Sequence, residues 1–160
     1  MKQYLFSYGT LQPGLAPPGI AGLARRLHPV GRGYIRGYLY DLGRYPGAVV
    51  QENGSEILSR LAGVSEAGSR RRNPERSRRI WGQLLELPDD PGLLRRLDNY
   101  EGFDPNHPEQ GEYVRKKCTV VLTTGEKKKA WIYAYNRPPA SAPLIPNGDF
   151  AKWLKHEGVK

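Results

Sequence analysis

Six runs of apolar, β-branched and aromatic residues, each of strand length and separated by turn-forming residues, restrict this chain's fold more than any other feature. They are Gln3 to Phe6, Gly33 to Tyr40, Ala48 to Gln51, Ile80 to Leu87, Tyr113 to Thr123 and Lys129 to Tyr135. The pattern predicts a mainly β architecture. Two stretches have helical periodicity instead. Asp89-Asp90-Pro91 offers a cap and a first-turn proline ahead of Leu93, Leu94 and Leu97, so a short helix is expected from about Pro91 to Tyr100. Asp149 can cap a second one, Asp149 to Lys155, with Phe150, Trp153 and Leu154 on one face.

With 160 residues, the chain is expected to form one domain over 1–160, burying about two-thirds of its unfolded surface. Only 38% of it is hydrophobic, and 14 Pro and 19 Gly place much of the shortfall in loops. Ser59 to Ser77 is polar, Arg-rich and nearly free of aromatic or β-branched residues. Such a stretch cannot bury enough to order itself, and it reads as a mobile insertion, at about 59–77, between two strands.

That segment also explains the charge. Seven arginines from Arg60 to Arg79 stand against Glu66 and Glu75, a net +5 of the chain's +9. A run of arginines without interleaved aromatics offers salt-sensitive, sequence-indifferent contact with polyanions at best, so nucleic acid is not an expected partner. A solvated loop is the ordinary reading of such a run.

A lone cysteine, Cys118, excludes an internal disulfide and any multi-cysteine zinc site and fits a reducing compartment. No apolar h-region opens the chain and no run of about 18 apolar residues occurs in it, so a cytoplasmic location without membrane insertion is expected. His28, His107 and His156 are scattered, giving no metal-ligand spacing. Cys118 lies mid-strand on an apolar face, where an inert thiol is expected. Gly-x-Ser-x-Gly and P-loop patterns are absent, which disfavours serine hydrolases and NTPases.

Three clusters remain that could carry chemistry. Tyr8-Gly9-Thr10-Leu11 follows the first strand, where Gly9 lets the chain turn sharply, with positive φ open to it, so that successive N–H groups face one concavity. Such a nest suits a carboxylate or oxyanion; an ordinary strand-ending turn fits the same spacing. Glu101 ends the first predicted helix ahead of a capping Gly102. The helix C-terminus, together with Tyr100 and Phe103, is expected to raise its pKa into the general acid/base range, the alternative being a solvated carboxylate on a frayed end. Tyr113 shares a strand face with Arg115, lining a pocket or packing on a neighbouring strand.

These pieces occur in a recognisable order: Tyr8-Gly9-Thr10-Leu11, then Tyr38-Leu39-Tyr40-Asp41-Leu42 with Tyr45-Pro46-Gly47, then Gly82-Gln83-Leu84-Leu85-Glu86-Leu87 and Leu97-Asp98-x-Tyr100-Glu101-Gly102. With Tyr113-Val114-Arg115, Trp131-Ile132-Tyr133-Ala134-Tyr135 and Ile145-Pro146-Asn147-Gly148-Asp149-Phe150 following, most of the chain resembles the γ-glutamylcyclotransferase-like superfamily, including its AIG2-like and γ-glutamylamine cyclotransferase branches. The resemblance implies an α+β fold, a small mixed β-barrel with a few short helices. It implies a cofactor-independent enzyme that releases 5-oxoproline from a γ-glutamyl compound. On this sequence Glu101 would be the general acid/base, and Tyr8, Gly9, Thr10 and Leu11 the loop receiving the γ-glutamyl group. Tyr113 matches an aromatic residue near the family's cavity. The expected partner is a small γ-glutamyl molecule, and the expected assembly a monomer or weak homodimer. The competing reading is a non-catalytic barrel whose Arg-rich loop contacts polyanions. The insertion at 59–77 departs from the short connection usual in the family.

Overall fold

The computed structural model describes residues 2–9, 22–43, 45–50, 79–139 and 141–158. Thr10, Leu11 and the Arg-rich insertion lie outside the described residues. Six strands are seen: β1 (Tyr4–Ser7), β2 (His28–Asp41), β3 (Pro46–Val50), β4 (Arg79–Glu86), β5 (Tyr113–Leu122) and β6 (Lys127–Tyr135). Among the described residues two full helices accompany them, α1 (Pro91–Glu101) and α2 (Phe150–Gly158), and residues 22–24 are helical as well. No helix among the described residues is long and apolar enough to cross a membrane.

The strands run in the order β3-β2-β4-β1-β6-β5, and β2 also pairs with β5. That second pairing, Gly33 with Leu122 and Tyr34 with Val121, closes five strands into a barrel and leaves β3 as a flap on β2. Closure needs a close approach: a Cβ on Gly33 would lie 2.7 Å from Val121 O. All ladders are antiparallel except β1 with β6, so the barrel is mixed, as the resemblance implied.

Alternation along the strands creates two cores. Phe6, Ile35, Leu39, Ile80, Leu84, Val120 and Ile132 point inward and fill the barrel. Leu5, Leu85, Leu87, Tyr113 and Tyr133 point outward, where Leu93 and Leu97 of α1 cover them. Helix α1 forms because Asp90 Oδ1 accepts the Gly92 N–H at 2.9 Å and Pro91 fills the first turn, where no amide partner is needed. It stops at Gly102, whose φ of 71° is left-handed, with Gly102 N–H donating to Asn99 O and Phe103 N–H to Asp98 O. A short amphipathic helix is thereby pinned at both ends across the outer sheet face.

A candidate active site at the end of the barrel

Where β1 ends, the last turn of α1 and the starts of β3 and β5 meet around a cavity of about 460 Å³. The sequence-derived candidates converge there: Tyr8, Gly9, Glu101 and Tyr113 all line it. Tyr45, Glu112 and Tyr133 line it as well and were not singled out from the sequence. Tyr45 was legible only as part of the Tyr45-Pro46-Gly47 string. Tyr133 sits in an alternating aromatic run whose members look equally structural.

Glu101 is the last residue of α1, and the cap at Gly102 turns the chain away directly after it. Its carboxyl is pushed up from the ordinary carboxylate range to about 7 by burial. Burial, rather than the helix end or Tyr100, is the operative cause, and Tyr100 itself is exposed. Among the described residues no cation or hydrogen-bond donor is set against this carboxyl. It is therefore free to exchange protons with a ligand, at a pKa suited to doing so near neutrality.

The tyrosine hydroxyls, by contrast, are committed. Tyr8 donates to the Tyr133 carbonyl, and its oxygen accepts the Ala48 N–H at 3.3 Å. Tyr113 donates to the Pro46 carbonyl at 2.8 Å, and Tyr133 to Asp98 Oδ1 at the same distance. Burial first, and for each of them the nearby Glu101 charge as well, raise all three phenols above the usual tyrosine range. They stay protonated at neutral pH and serve as rigid walls rather than bases. At the rim, Tyr45 donates to the Glu112 carboxylate at 3.2 Å, and its ring meets Tyr113 edge-on at 5.9 Å. No Lys or Arg is among the described lining residues. No group of three His, Cys, Asp or Glu poised for a metal occurs among the described residues either.

Gly9 differs from expectation in its backbone. It is not one of the glycines with positive φ among the described residues. What presses on a side chain here is packing, since a Cβ would come to 3.0 Å from Pro46 Cγ at the start of β3, which would have to give by a few tenths of an ångström. Arg115 shares the outward face with Tyr113, as read, but its guanidinium points away from the cavity, to Asp98 and the Trp131 ring. Cys118 is buried in the barrel with its thiol pushed up to about 12 by burial, which leaves it unreactive.

Comparison with known proteins agrees with this architecture. The mouse AIG2-like protein superposes with a TM-score of 0.60 at 18% identity, over 92% of this chain and 88% of that one. YkqA of Bacillus subtilis superposes with a TM-score of 0.64 at 20% identity, over the whole of this chain but 44% of its own. The YtfP protein of Escherichia coli gives 0.54 at 24% identity, over 97% and 99%. At these identities the likeness is one of fold. In sequence, a Methanocaldococcus jannaschii protein provisionally named a gamma-glutamylcyclotransferase is 34% identical over 76 residues, 48% of this chain and 55% of that protein. The match thus spans about half of that relative's length. The family described as gamma-glutamyl cyclotransferase, AIG2-like, matches over residues 5–72 and 70–153. With nearly the whole barrel covered by that match, the chain belongs to the gamma-glutamyl cyclotransferase, AIG2-like, family.

Proposed function

We propose that the protein cyclises a γ-glutamyl compound to 5-oxoproline and a free amine, with Glu101 as the proton carrier. The observation that carries this reading is the Glu101 carboxyl, held near pKa 7 in a cavity that Tyr8 and Gly9 line as well. Glu101 takes a proton from the substrate α-ammonium. The freed nitrogen attacks the γ-carbonyl carbon, closing a five-membered ring. Glu101 gives that proton to the leaving nitrogen and the amide C–N bond breaks; the regenerated carboxylate then passes the second proton from the ring nitrogen to the departing amine, which leaves as its ammonium form. Atoms and protons balance without a cofactor.

Two contributions lower the barrier. Nucleophile and electrophile belong to one molecule, and a cavity that folds it into an attack-ready shape supplies about 7 kcal/mol or more. By the family resemblance, N–H groups among Gly9, Thr10 and Leu11 would hold the substrate carboxylate or the oxyanion, a single oxyanion donor contributing about 3 kcal/mol. Tyr113 orders the opposite wall through its bond to Pro46. The described lining carries two carboxylates and no cation, which suits a ligand that brings an ammonium group and does not suit a polyanion. The polyanion-contact reading therefore gains no support from the cavity.

The test is to incubate the protein with γ-glutamyl dipeptides, glutathione and γ-glutamylamines and to measure 5-oxoproline. Release from at least one, abolished in Glu101→Gln, is the expected result. No release across the panel would end the proposal.

A further inference from the structure

One buried charge takes no part in the chemistry above. Asp98 lies in the last turn of α1, three residues before Glu101, and is only 5% exposed. An uncompensated carboxylate in such a place costs several kcal/mol, so its surroundings must repay its burial. They do so from two strands. From β6, Tyr133 Oη donates to Asp98 Oδ1 at 2.8 Å. From β5, Arg115 Nε stands 2.9 Å from the same oxygen in an ion pair whose N–H is not aligned for a hydrogen bond, with its guanidinium 4.4 Å from the Trp131 ring centroid and 5.8 Å from that of Phe103. The backbone of Asp98 is engaged too, because its carbonyl accepts the Phe103 N–H at 2.8 Å in the helix cap.

Two of these contacts, the one to Tyr133 and the one in the cap, touch something that the cavity depends on. Tyr133 lines the cavity, and its carbonyl holds the hydroxyl of Tyr8, which lines the cavity beside it. The cap held by the Asp98 carbonyl brackets Glu101. Residues three apart on a helix are neighbours, so a shift of Asp98 relative to the sheet carries Glu101 with it.

We propose that Asp98 is the positioning residue of this site: clamped between Tyr133 and Arg115, it fixes the last turn of α1, and with it the Glu101 carboxyl, against the wall formed by Tyr133 and Tyr8. The inference rests on the proposed reaction for its kinetic consequence but not for its geometry. The charged and titratable groups facing the pair are Arg115 from β5, Tyr133 from β6, Tyr113 at the start of β5, Tyr8 after β1, and Glu101 on α1 itself.

Two variants separate positioning from bulk stability. Asp98→Asn keeps an oxygen that can accept from Tyr133 but leaves the Arg115 cation without its counter-charge. Asp98→Ala removes the clamp. With a γ-glutamyl substrate, Asp98→Ala is expected to lower kcat at least tenfold while KM changes less than threefold, and Asp98→Asn to recover most of the lost kcat. Independently of activity, the Glu101 carboxyl of 13C-labelled protein is titrated by NMR. Its midpoint is expected near 7 in the wild type, lower in Asp98→Ala with Arg115→Met, where the released helix end lets the carboxyl meet solvent, and near 7 in Asp98→Asn with Arg115→Met, which carries the same charges but keeps the bond to Tyr133. A wild-type kcat in folded Asp98→Ala, or the same Glu101 midpoint in the two double variants, overturns the proposal. If the midpoints move as expected but no γ-glutamyl substrate turns over, the clamp stands and the reaction assignment falls.

Discussion

Burying Glu101 beside the tyrosines has a thermodynamic cost that can be measured. Its folded pKa of about 7 lies above the ordinary value of 4.5, so between those pH values the native state keeps a proton that the unfolded chain releases. Stability from this group therefore falls as pH rises from 4.5 to 7. Above 7 the penalty is complete, at most about 3 kcal/mol and less to the extent that the carboxyl meets solvent. Glu101→Gln should accordingly abolish turnover by roughly a hundredfold or more. It should also raise Tm by several degrees at pH 8 and leave it unchanged at pH 4, read by thermal scans at both values. Equal Tm at pH 8 would show that the carboxyl is not desolvated. The same titration predicts kinetics. Because Glu101 must be ionised to accept the first proton, kcat should fall tenfold per pH unit below about 7, and a profile flat down to pH 5 would remove Glu101 from that role.

The element that carries Glu101 depends on its terminating glycine. Gly102 has φ 71°, and a Cβ there would meet nothing within 4 Å, so Gly102→Ala imposes backbone strain and nothing else. The expected loss is about 1 kcal/mol, with a larger loss in kcat because the strain sits beside Glu101. Gly82→Ala in β4 should be far worse, since its Cβ would stand 2.3 Å from Ser7 O and drive β1 from the barrel. A Gly82→Ala protein melting no lower than Gly102→Ala would contradict the strand packing described. Elements of this kind were largely legible in the sequence, because all six strands and both helices have apolar periodicity. The misses have physical causes. Strand β2 was read from Gly33 but begins at His28, since His28 to Arg32 holds Pro29 and Gly31, which weaken the strand signal, and a register shift between them absorbs the irregularity. Strand β3 begins at Pro46, a tolerated first strand position, rather than at Ala48. Asp149 caps α2 as its sequence position implies, accepting from the Lys152 N–H, but the helix runs on to Gly158 rather than ending at Lys155. Asp98, Arg115 and Tyr133 were invisible as a unit because periodicity assigns a side chain to a face but not to a partner on another element.

Strand pairing sets the tolerances of the whole molecule. The last residue of β3, Val50, pairs with Gly37, and the first of β4, Arg79, pairs with Arg36. These ends flank adjacent residues of β2 on its opposite edges, so the gap that the connection must bridge is about two strand spacings, near 10 Å. Deleting Gly63 to Ser77 leaves residues 51–62 and Arg78, an extended reach of about 40 Å, before any linker is added. Barrel closure between β2 and β5 and the docking of α1 draw on neither end of this connection. The deletion, joined by a short Gly-Ser linker, should therefore fold with Tm within a few degrees of the intact chain. It also removes four arginines and two glutamates, lowering the net charge from +9 to +7. The positive field felt by an anionic substrate weakens, so KM should rise modestly at low salt and converge with that of the intact chain as ionic strength shortens the Debye length below about 10 Å. Turnover at saturating substrate should be unchanged, since every described residue lining the cavity is retained. Steady-state kinetics across a salt series check both statements. A deletion protein that melts normally but has lost kcat would show that residues 63–77 supply a group to the site, and the barrel end would no longer suffice as the catalytic unit.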